Sequence, residues 1–107
     1  MHVQFGNYTC HLLFSTYKEH ENIAIQLVDE RDGQPVATAT LNPEMKLDEG
    51  LVCINNHSKN KGMLDVLIHE GIVSSPVSWY QTGFVVVPVC QLLIPVFEEE
   101  EDEWDGK

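Results

Sequence analysis

Ile23-Ala24-Ile25-Gln26-Leu27-Val28-Asp29, then Glu30-Arg31-Asp32-Gly33-Gln34, then Pro35-Val36-Ala37-Thr38-Ala39-Thr40-Leu41: two β-patterned runs joined across an Asp-Gly step. Asp-Gly supplies the positive φ angles that a hairpin turn requires, which predicts a hairpin centred on Asp32-Gly33. In the first run, Asn22 to Asp29, apolar residues occupy both alternating sets. That pattern predicts a central strand with both faces partly covered. Pro35 has no N–H to donate, so it fits only at the start of the returning strand.

Antiparallel structure extends outward from this hairpin. Val3 to Phe5 precedes Gly6-Asn7, a tight turn, and Tyr8 to Tyr17 follows. In that strand Tyr8, Cys10, Leu12 and Phe14 alternate onto one face. Asn42-Pro43 ends the returning strand, Glu44 to Gly50 reads as a charged loop, and Leu51 to Asn55 as a short strand. From Lys61 to Glu70, Leu64, Leu67 and Ile68 recur at helical spacing, with Ser58 or Asn60 as N-cap. Gly71 suits the C′ position, and Ile72 packing back on Leu67 would complete a Schellman ending. Ile72 to Gln81, with Ser74-Ser75-Pro76, reads as a loop that ends in Trp79 and Tyr80. Phe84 to Ile94 is a β-branched run whose Pro88 demands a bulge, a bend or an edge. The expected fold is α+β: a mostly antiparallel sheet of five to seven strands with one short α-helix packed on one face. Residues 1–97 are expected to form one domain, and residues 98–107 an acidic tail that stays disordered when free.

Composition restricts the function. The 107 residues carry a formal net charge of −11. The tail, with seven acids and one base, contributes −6, and the rest of the chain −5. Six Lys and Arg residues with no cluster beyond Lys59 and Lys61 argue against direct nucleic-acid binding. They argue equally against an anionic membrane surface, and no apolar run approaches the ~18–20 residues of a membrane span. Met1 to Tyr8 lacks the charged start and apolar run of a signal peptide, so a cytoplasmic protein is expected. Cys10, Cys53 and Cys90 form no Cys-x-x-Cys pair and read as buried hydrophobes. His2, His11, His20, His57 and His69 show no ligand spacing, so neither a metal nor a cofactor is expected. Cys53 and His57 are the nearest approach to a nucleophile and base, but a strand residue and a turn residue that close would meet only by accident of loop geometry. No enzyme is predicted.

The binding candidates are the aromatics Trp79 and Tyr80 and the acidic-aromatic tail Glu98, Glu99, Glu100, Glu101, Asp102, Glu103 and Trp104. Aromatics supply interface area at low entropy cost. Clustered acids suit a basic partner surface, or simply keep the chain soluble. The core of Trp79 packing beside the helix is the alternative use of that side chain.

The residues Ile23-Ala24-Ile25-Gln26-Leu27-Val28-Asp29, Gly33-x-Pro35-x-Ala37-Thr38-x-Thr40, Val52-x-Ile54-Asn55-Asn56, Glu70-Gly71-Ile72, Gly83-Phe84 and Pro88 together resemble the family catalogued as domain of unknown function 4313. The resemblance spans residues 3 to 95. The acidic tail and the basic stretch His57-Ser58-Lys59-Asn60-Lys61 depart from it. It implies an accessory protein of a bacterial plasmid, phage or conjugative element, and carries no functional residues with it. Expected, then, is a non-enzymatic protein, monomeric or a small homo-oligomer, that binds a protein partner with a basic surface. The alternative is an acidic nucleic-acid mimic that inhibits a host defence nuclease or regulator.

Overall fold

In a computed structural model, residues 2–94 are described. They form eight strands in two four-stranded antiparallel sheets, with one short helix. The first sheet contains β1 (His2–Phe5), β2 (Tyr8–Thr16), β3 (Ile23–Asp29) and β4 (Pro35–Thr38), in that spatial order. The second contains β5 (Thr40–Leu41), β6 (Leu51–Ile54), β7 (Val73–Thr82) and β8 (Val85–Leu92), in the order β5-β6-β8-β7. Helix α1 spans Met63–His69 and packs against β1 and β7.

The hairpin expected around Asp32-Gly33 joins β3 to β4. Only Gly33 adopts a positive φ there, at 75°, and its N–H closes back on the Asp29 carbonyl at 2.8 Å. The connection is therefore wider than a two-residue turn, with Asp29 N–H bonded to the Gln34 carbonyl at its base. β3 is an inner strand of its sheet, as its two-sided pattern required.

Two expectations change. One sheet of five to seven strands becomes two sheets with eight, because the run from Pro35 to Leu41 divides at Ala39. There the chain leaves the first sheet and enters the second. Ala39 N–H donates to the Ile25 carbonyl at 2.8 Å, and the Ala39 carbonyl accepts from Asn55 N–H at 2.8 Å. A strand that switches sheets at a bend is how two packed sheets acquire a shared corner. The second change concerns Ile72 to Gln81, which is strand β7 rather than a loop. Two register shifts, between Val73 and Pro76 and between Pro76 and Ser78, each add one residue to β7 and accommodate the proline. The Ser74 hydroxyl accepts the Gln91 N–H at 2.9 Å within the first shift, so that donor keeps a partner.

Pro88 lies in an inner strand, yet the paired run of β6 along β8 ends at Cys53↔Val89, one residue earlier. The missing N–H thus falls where β8 has a neighbour on one side only. Beyond that point β7 and β8 continue as a two-stranded ribbon.

The main core lies between the sheets. Val3, Cys10, Ile25 and Leu27 meet Val52, Ile54, Val73 and Cys90, and the helix adds Met63 and Leu67. Seven residues are too few for an autonomous helix. Burying Leu67 and Met63 completely, at about 1.5–3 kcal/mol each, holds it in place. Its ending is the expected Schellman motif: Ile72 N–H bonds the Leu67 carbonyl at 2.9 Å and Gly71 N–H the Ile68 carbonyl at 3.0 Å. Gly71 sits at φ 74°, where other residues are strained. The helix start differs from expectation. Ser58–Asn60 form a 3-10 turn, and Gly62 is the N-cap without a side-chain bond. Asn56 Oδ1 instead accepts the Leu64 N–H at 2.8 Å. Asn60 is buried, donating to the carbonyls of Thr38 at 2.7 Å and Asn55 at 3.0 Å, which fastens the sheet corner.

A smaller cluster of Leu47, Cys53, Val87 and Val89 occupies the other face of the second sheet. The segment from Asn42 to Leu47 covers it, held by buried Asn22. Asn22 Nδ2 donates to Asn42 Oδ1 at 3.0 Å and to the Met45 carbonyl at 2.9 Å, while Asn22 Oδ1 accepts the Leu47 N–H at 2.8 Å. Truncating this side chain strands a buried N–H and two acceptors. Asn22→Ala is therefore expected to cost about 2–4 kcal/mol. Urea unfolding checks it, through a lower midpoint with an unchanged slope.

Candidate functional site

The thiol chemistry open to this sequence is disfavoured by burial. All three cysteines are free and buried. Desolvation pushes the thiols of Cys53 and Cys90 up to about 11, and raises that of Cys10, helped by the nearby charges of Asp29 and Glu30. A nucleophilic cysteine needs the reverse, a stabilised thiolate. Cys53 faces the smaller cluster and Cys90 the main core, on opposite faces of one sheet, so the pair is not arranged for a disulfide. The carboxylates Glu19, Glu21, Asp48 and Glu49 are exposed. Two shallow depressions are lined without a nucleophile–base pair: one by Tyr8, Asp29, Arg31 and Asp32, the other by Gln4, Asp65, His69 and Glu70.

The first depression holds the clearest ion pair. Arg31 clamps Asp29 with Nε on Oδ1 at 3.2 Å and Nη2 on Oδ2 at 3.0 Å, and its backbone N–H adds a bond at 2.9 Å. These hydrogen bonds, side chain first, hold the Asp29 carboxyl below the usual carboxylate range, against the opposing effect of desolvation. The arrangement fixes the wide β3–β4 turn and leaves Arg31 largely exposed.

The distinctive surface is the distal β7–β8 ribbon. From Gly71 to Phe97 the sequence contains no charged residue. β7 is an edge strand of ten residues, and edges of that length are normally guarded by charge. Here the guards are the two register shifts and Pro76. Cross-strand partners share a face. Trp79↔Pro88 and Gln81↔Val86 therefore lie on one side of the ribbon, and Tyr80↔Val87 and Thr82↔Val85 on the other. Trp79 is 61% exposed and Val86 54%, and Val77, at the second register shift, is 58% exposed. Phe84 sits fully exposed in the two-residue connection at the tip.

The two aromatics singled out by the sequence separate by this alternation. Trp79 projects from the open face, too exposed to cap the core beside the helix. Tyr80 turns inward against the smaller cluster, where its hydroxyl accepts the Glu44 N–H at 3.0 Å. Its role in the fold is to pin the 42–47 segment. The sequence pattern does not reveal Val77, Phe84 and Val86 as exposed, because Ser74-Ser75-Pro76 carries loop chemistry and Phe84 to Ile94 has the pattern of a strand buried on both faces. Glu98, Glu99, Glu100, Glu101, Asp102, Glu103 and Trp104 lie outside the described residues. Among the described residues, no helix is long and apolar enough to cross a membrane.

Comparison with protein-family models, with curated proteins and with solved structures returns no match.

Two outcomes test this description. Native protein at pH 8 is expected to react slowly with a thiol reagent at all three cysteines and promptly once unfolded; a fast native reaction at Cys53 would contradict its burial. For Asp29, a carboxyl whose folded pKa is depressed stabilises the fold above its unfolded value of about 4 and loses that contribution as pH falls through the folded value. Arg31→Ala is expected to raise the Asp29 titration midpoint seen by carboxyl NMR and to flatten the acid limb of stability.

Proposed function

We propose that this chain is a non-enzymatic protein-binding module that docks through the distal β7–β8 ribbon. The partner chemistry that fits is an apolar strand edge or groove rimmed by lysine and arginine. The carrying observation is an uncharged ribbon whose edge strand exposes Val77 and Trp79, with Phe84 at the tip and Val86 on β8 exposed beside them. Exposed apolar groups on a projecting ribbon gain by being covered, and an open edge offers backbone hydrogen bonds to an added strand. The formal charge of −11 on the chain supplies long-range attraction to a basic rim. In this reading the chain is an accessory protein of a bacterial mobile element, with a protein encoded by the element or its host as partner. A nucleic-acid mimic acting on a host nuclease would rely instead on the acids, and the same experiment separates the two.

Trp79→Ser and Phe84→Ser change exposed positions and are expected to leave the fold intact by amide NMR. Each is expected to weaken partner binding about tenfold or more, the scale of a central interface aromatic. Titration calorimetry against the purified partner, at low and high salt, measures this. Undiminished binding by the Trp79→Ser, Phe84→Ser double variant would overturn docking through the ribbon. Loss of affinity mainly on raising salt, or on removing residues 98–107, would favour the acidic mimic.

A further inference from the structure

The solvent face of the first sheet carries a separate cluster. His2 in β1 and His11 in β2 are direct cross-strand partners, so their side chains project from one face. The two rings lie with centroids 4.3 Å apart, tilted by 43°. Glu30, one residue beyond β3, is fixed beside them by its N–H, which bonds the Thr9 carbonyl at 3.0 Å. Its Oε1 lies 3.1 Å from His2 Nε2. Arg31, the adjacent cation, turns away to clamp Asp29 and leaves the Glu30 carboxylate facing the imidazoles.

We propose that His2, His11 and Glu30 form a surface zinc site, with water completing the coordination sphere. Two imidazoles and one carboxylate are a donor set suited to zinc and poorly suited to magnesium or calcium. The three donor atoms all lie within 4.8 Å of one another. Tetrahedral zinc, with bonds of about 2.0–2.1 Å, needs its ligand atoms about 3.3 Å apart. The His2–Glu30 pair is already at that spacing, and the remaining closure needs only rotation of exposed side chains. The backbone does the rest of the positioning, because the β1–β2 hairpin sets His2 opposite His11 and the Thr9 bond sets Glu30. An ordinary ion pair between protonated His2 and Glu30 would use the same 3.1 Å contact but would give His11 no part. His11 is therefore the residue that discriminates.

The test is zinc chloride titrated into the full chain at pH 7, followed by calorimetry and by the imidazole carbon-bound proton signals. One equivalent is expected to shift the His2 and His11 signals together, while magnesium shifts neither. His11→Gln and Glu30→Gln are each expected to weaken zinc binding at least about tenfold, since losing groups that merely orient ligands already costs that much. Both residues are exposed, and an unchanged amide spectrum establishes that the variants are folded. A Gly-Ser extension ahead of Met1 is expected to leave the affinity unchanged, which separates the site from chelation by a terminal amine. Wild-type zinc affinity in His11→Gln, shifts confined to His20, His57 or His69, or loss of binding in the extended chain would each overturn the site.

Discussion

At Ala39 a single residue is shared by two sheets, its N–H bonded to the Ile25 carbonyl and its own carbonyl to the Asn55 N–H. Ala39 is fully buried where the layers meet, and a larger group would force them apart. Around this corner the polar groups are satisfied by residues distant in sequence. Thr40 Oγ1 accepts the Ile25 N–H at 3.1 Å and meets the Tyr17 hydroxyl at 2.9 Å, while Asn60 holds Thr38 and Asn55. The orientation of the second sheet, and hence the direction in which the β7–β8 ribbon leaves the body, follows from this small buried network.

Local signals in the sequence are decisive where local geometry decides. The β3–β4 hairpin, the inner position of β3 and the Schellman ending at Gly71 depend on residues a few positions apart, and each is present. The corner at Ala39 depends on Ile25 and Asn55, far away in the chain, and no propensity marks it. β7 is hidden in the sequence because Ser74-Ser75-Pro76 carries turn chemistry, which the register shifts absorb. The histidine pair was legible in principle. A two-residue turn at Gly6-Asn7 forces positions equally distant from it to face each other, and His2 and His11 are such a pair. Placing Glu30 beside them requires the β2–β3 register, which the loop between those strands does not reveal.

Charge is divided along the chain as well as in space. Every charged side chain of the body falls before Gly71, and β7 and β8 carry none. The polar outer face of the first sheet, with His2, Gln4, Thr9 and His11, therefore differs in kind from the ribbon. A cation and an apolar protein surface would be received at separate places, so ligation at one is compatible with docking at the other.

Pro88 has a second effect, in the chain before it folds. Phe84-Val85-Val86-Val87 continues toward Val89-Cys90, an uncharged β-prone run of the length that stacks into cross-β assemblies. The proline interrupts that run at its centre, where no added strand could receive an amide hydrogen bond. In the native sheet it is the first residue of β8 past the end of its pairing with β6, so the same residue protects the nascent polypeptide at little cost to the folded ladder.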